Sequence, residues 1–139
     1  QPLPARALLI DTRADELAMA APGIHTRLTP LPEAEIRAAK PGSAVVIVTH
    51  DHALDFLLAA EALSRPDLAY IGMIGSATKR AKFTRFAKDR GIDTTPLICP
   101  IGAGFSADKR PAVIAAFAAA ELIARLTSVS SLTKYPCNN

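Results

Sequence analysis

Ala44-Val-Val-Ile-Val48 runs into Thr49-His-Asp-His-Ala-Leu-Asp55, and this junction decides the fold. A charge-free, β-branched run closed by a polar turn reads as a strand buried on both faces, as in parallel sheets. Leu54, Leu57, Leu58 and Ala62 then recur at helical spacing, which predicts a helix over 53–63. The same strand-then-turn pattern occurs on either side. Ala7-Leu-Leu-Ile10 closes in Asp11-Thr-Arg13, Ala69-Tyr-Ile-Gly-Met-Ile74 in Gly75-Ser76, and Pro96-Leu-Ile-Cys99 in Pro100-Ile-Gly102. Helices are expected over 32–39, 76–90 and 111–126. The second has Ser76 as N-cap, turns Phe83 and Phe86 inward and stops at Gly91; the third has proline at its first position. Strand alternating with helix gives an α/β fold, a Rossmann-like, mostly parallel sheet with helices on both faces.

The chain has 139 residues, 50% hydrophobic and 21% charged, enough for one cored domain, placed at 1–126 with a poorly ordered polar tail at 127–139. A formal charge of +3 is too small to imply a nucleic-acid partner. The longest apolar stretch, 111–120, is about half of what spans a bilayer. No signal peptide is visible, and two cysteines, Cys99 and Cys137, do not make a disulfide framework. A soluble, cytoplasmic protein is expected.

Asp11 sits where a dinucleotide-binding fold places an acidic residue under a ribose, about 20 residues after a glycine-rich phosphate loop. Only ten residues precede Asp11 and none is glycine. The first strand and its glycine loop are therefore expected to be missing. That strand is central in the order 3-2-1-4-5-6, so its neighbours should each show an open edge. The expectation is a fragment, or a gap filled by upstream residues or another chain.

Four stretches could carry chemistry. Thr49, His50, Asp51 and His52, with Asp55 beyond, lie where open α/β sheets bind ligands. Imidazoles and carboxylates there suit helix capping or cofactor contact, acid–base work, or a metal, although no third strong ligand is obvious. Gly75, Ser76, Lys79 and Arg80 begin a helix whose free amides and dipole attract phosphate, or they form an ordinary capped helix. Cys99 is a candidate thiolate nucleophile or soft-metal ligand at the cofactor site, or an inert buried thiol; Gly102 and Gly104 let backbone approach a ligand or turn the loop. Asp11 and Arg13 either meet a ribose and a phosphate or pair with each other in solvent.

The strings Ile10-Asp-Thr-Arg13, Thr49-His-Asp-His-Ala-Leu-Asp55, Tyr70-Ile-Gly-Met-Ile-Gly-Ser76-Ala-Thr-Lys-Arg80 and Cys99-Pro-Ile-Gly102 fall in a familiar order. From about residue 7 to 126 the chain resembles the C-terminal Rossmann-like domain of the xanthine dehydrogenase accessory proteins, the XdhC/CoxI family. The resemblance implies a non-catalytic molybdenum-cofactor chaperone that binds molybdopterin, shields it and helps deliver it to the molybdenum subunit of xanthine dehydrogenase. A cysteine desulfurase is an implied further partner, and a homodimer is expected. Two family features are expected to be missing, the glycine phosphate loop and the N-terminal domain of longer members, which carries a cysteine implicated in cofactor binding. On this reading the helix start at 75–79 holds the phosphate and Arg80 adds charge. Thr49, His50 and Asp51 then bond the pterin or the molybdenum oxo ligands. From the residues alone, the alternative is an NAD(P)-dependent oxidoreductase or nucleotide-binding module using Asp11, Arg13 and either His50 or His52. A ligand-free regulatory or dimerisation module is a third possibility.

Overall fold

A computed structural model describes residues 5–102 and 108–134, with side chains through residue 127. Gly104 and Cys137 lie outside the described residues. The chain divides into two compact units, Gln1–Ala38 and Ala39–Asn139.

In the first unit, β1 (Leu8–Asp11) leads through α1 (Ala14–Ala18) to β2 (His25–Leu28) and then α2 (Pro32–Ala38). β1 and β2 pair in parallel, from Leu8 opposite His25 to Asp11 opposite Leu28. α1 and β2 are additions to the sequence reading. α1 is too short, at five residues, to show a period. β2 is His-Thr-Arg-Leu, exposed throughout, with no apolar run to betray it. Arg27 meets Glu35 at 2.5 Å and so ties β2 to the first turn of α2.

The second unit holds β3 (Ala44–Ile47), α3 (His52–Leu63), β4 (Tyr70–Met73), α4 (Ala77–Lys88), β5 (Leu97–Ile98) and α5 (Pro111–Lys134). Its sheet is parallel in the order β3-β4-β5. Ile47 lies opposite Met73 and Val46 opposite Gly72, so successive residues define two faces. Ile47, Ile71 and Met73 are buried, whereas Val46 is 44% exposed, which puts α3 and the core on the Ile47 face. Leu58, Ala59 and Ala62 from α3, and Phe83 and Ala87 from α4, complete that core. Phe56 packs edge-on to Phe83 at 5.3 Å and against Phe86 at 5.5 Å. Fully burying a ring such as Phe83 contributes about 1.5–3 kcal/mol.

On the other face, the Tyr70 ring lies across Gly72, where a Cβ would come within 2.6 Å of it. The Tyr70 hydroxyl donates to Glu121 of α5 at 3.0 Å. Gly102, at φ +76°, turns the chain after β5 and lets α5 approach: a Cβ there would sit 3.2 Å from the Ala118 amide nitrogen. The glycine amide donates to Glu121 at 3.1 Å.

Three readings change at this level. α5 continues to Lys134, into the stretch expected to be a polar tail, because neither glycine nor proline interrupts the chain between residues 112 and 135. The inner stripe of α3 is Asp55, Leu58, Ala59 and Ala62, while Leu57 is 58% exposed. Finally, the strands of the described residues form two sheets. Among the described residues β1 pairs only with β2 and β3 only with β4, so each has an open side, as the sequence reading expects.

Candidate functional site

The carboxyl ends of β3 and β4 are followed at once by the starts of α3 and α4, and these junctions carry most of the singled-out residues. At the first, Asp51 is the N-cap: it is extended (φ −112°, ψ 112°) and its Oδ1 accepts from the amides of Ala53 at 2.9 Å and Leu54 at 3.4 Å. Thr49 turns inward. Its amide and hydroxyl donate to Asp55 Oδ1 at 3.0 and 2.6 Å. Asp55, one turn into α3, is fully buried. A carboxylate so placed needs a charged partner, because its bare burial is prohibitive.

The second junction supplies that partner. Ser76 caps α4 by accepting from the Lys79 amide at 3.2 Å. The Lys79 side chain folds back over Gly75, whose φ of +153° and missing Cβ leave room for the aliphatic stem. Lys79 Nζ then donates to Asp55 Oδ2 at 2.5 Å and to the Ile74 carbonyl at 2.8 Å. Lys79 is only 7% exposed. One buried ion pair therefore joins the two motifs that stood apart in sequence.

Beside it, Arg80 donates to the carbonyls of Leu97 at 3.3 Å and Cys99 at 2.9 Å, holding the end of β5. Cys99 is buried. Burial pushes its thiol above the ordinary value, and the charges of Lys79 and Arg80 offset this only in part. At neutral pH the group is a thiol, the inert alternative.

Lys79 and Arg80, assigned from sequence to a bound phosphate, are thus engaged by the protein itself: a buried ammonium requires its carboxylate, and the guanidinium satisfies strand-end carbonyls. Asp51 and Ser76 are caps. His50 and His52 are exposed beside them. Among the described residues no group of three His, Cys, Asp or Glu side chains could hold a metal. The amides of Ala77 and Thr78, in the first turn of α4, have no acceptor among the described hydrogen bonds. Asp11 and Arg13 lie in the other unit and form the solvent pair: Oδ1 accepts from the Arg13 amide at 3.0 Å and from Nε at 3.2 Å. The guanidinium holds the Asp11 carboxyl below its usual range.

Asp55 is the residue whose role the sequence reading missed. Its signal was its place on the stripe with Leu58, Ala59 and Ala62, where an acid demands a buried cation.

A family model described as the XdhC Rossmann domain matches residues 1–122. A thiamine-phosphate synthase of Thioalkalivibrio sulfidiphilus (strain HL-EbGR7) is 33% identical over 123 residues, which cover 86% of this chain and 56% of that protein. The chain spans about half the length of this curated relative.

Proposed function

The chain belongs to the XdhC family through its Rossmann domain, and from that premise we propose that it binds the molybdenum cofactor as an accessory carrier. In this reading it shields the cofactor and passes it to the molybdenum subunit of xanthine dehydrogenase in the cytoplasm, and turns over no substrate itself. A cysteine desulfurase and a second copy of the chain are the further proposed partners.

The observation that carries the reading is the pair of strand-end loops, 49–52 and 75–78, fastened to each other by the Asp55–Lys79 pair. Their donor chemistry fits the cofactor. When bound, the cofactor would supply a phosphate monoester, a dithiolene and an oxidisable pterin. The Ala77 and Thr78 amides, at the positive end of α4, suit the phosphate. His50, His52 and Thr78 are exposed polar side chains beside them, suited to the polar edge of the pterin. With Lys79 and Arg80 internally matched, the phosphate is held by amides and dipole rather than by a free cation.

The competing NAD(P) reading loses support at Asp11, whose oxygens already accept from Arg13. The test is to incubate the protein with isolated molybdenum cofactor, remove the excess, oxidise with iodine and acid, and read pterin fluorescence. Thermal shifts with NADP(H) and with thiamine phosphate run in parallel. Retained pterin is expected. Stabilisation by either of the other ligands, with no pterin retained, would overturn the carrier reading.

A further inference from the structure

We propose that Asp55 and Lys79 are positioning residues: the buried pair sets the spacing of the two strand-end loops, so that ligand contact belongs to the loops. The proposal deepens the cofactor reading and rests on it for what binds, not for how the loops are held. Both side chains are almost wholly enclosed, at 0% and 7% exposure, so neither presents a charge to a ligand. What they do instead is reach four places. Asp55 Oδ1 gathers the amide and hydroxyl of Thr49, just past β3, from its own position on α3. Lys79 Nζ, from the first turn of α4, takes the Ile74 carbonyl just past β4. The contact between Oδ2 and Nζ closes the link.

Stability alone is a poor account of this arrangement. A buried ion pair pays heavily in desolvation, and well-packed apolar side chains of similar volume often serve as well or better. Apolar side chains could fill the space between α3 and α4. They could not bond the Thr49 amide on one side and the Ile74 carbonyl on the other, which is the part this polar pair performs. Gly75 fits the same scheme, since the Lys79 stem crosses where a Cβ would stand. The amides of Ala77 and Thr78 and the side chains of His50 and His52 are thereby presented from loops that cannot drift independently.

The test is the double variant Asp55→Leu with Lys79→Met in the otherwise native protein, read by thermal melting and by amide hydrogen exchange at residues 50–52 and 76–78. The expected result is a melting temperature at or above native, with exchange at both loops about tenfold faster. Affinity for isolated molybdenum cofactor, the probe used, should fall about tenfold as well. A folded double variant whose loops exchange at native rates would overturn the proposal. Should that variant not fold, Asp55→Asn keeps the acceptor for Thr49 and removes the charge facing Lys79. Faster exchange at 76–78 is then expected, and native rates there would overturn the proposal equally. A native protein that ignores the cofactor while the variant loops loosen would sink the cofactor reading and leave the positioning claim standing.

Discussion

Among the described residues Lys79 has a single counter-charge within hydrogen-bond reach, and removing one member of such a pair strands the other in the core. Lys79→Met alone is therefore expected to cost about 3–5 kcal/mol, read from urea denaturation; a loss below about 1 kcal/mol would contradict the burial argument. Two other buried groups make alkaline pH the weak flank. Desolvation holds the Cys99 thiol above its ordinary 9.0 and, with Glu121, the Tyr70 phenol above its ordinary 10.0. Groups raised in the folded state contribute stability in full below those ordinary values and lose it as pH climbs past them. Melting temperature should accordingly fall from about pH 9 upward. Tyr70→Phe should melt lower at neutral pH, having lost the bond to Glu121, yet decline less steeply above pH 10. An unchanged alkaline slope would remove Tyr70 from the account.

α3 and α4 owe their starts to short side chains that satisfy amides otherwise left bare. Asp51→Ala and Ser76→Ala should each cost about 1 kcal/mol in chemical denaturation. These caps, and the helices they open, were readable in sequence because Asp51 and Ser76 stand directly between an apolar run and a helical period. Ala44-Val-Val-Ile and Tyr70-Ile-Gly-Met were readable for the same reason, being uncharged apolar runs, the second buried throughout and the first only at Ile47. β2 was not, because His25 to Leu28 are all exposed and a strand without a buried face leaves no alternation. The site divides likewise. Its two loops could be located from local pattern, but the bond between Asp55 and Lys79 spans 24 positions and only the folded chain reveals it. A cation in a first helical turn looked poised for an anion from outside; the anion it meets is the protein's own.

β3 leaves one side of its backbone unpaired among the described residues. Ser43 and Ile47 direct their carbonyls to the β4 side, at 2.8 Å from the Ala69 amide and 3.0 Å from that of Ile74, so Val46 faces the open side. Edges in nature carry lysine, proline or a bulge against unwanted pairing, and Ala44-Val-Val-Ile has none. Concentration-dependent association is expected in light scattering, and Val46→Lys should weaken it; a native chain that stays monomeric at every concentration would contradict this. No helix among the described residues is long and apolar enough to cross a membrane. The claim on which the functional account stands is that a phosphorylated pterin is held at the loops after β3 and β4. Its most direct measurement is amide chemical-shift mapping of the isotope-labelled protein during titration with isolated molybdenum cofactor. The account predicts saturable shifts centred on residues 49–52 and 75–78. Shifts centred on Asp11 and Arg13, or none at any ratio, would contradict it.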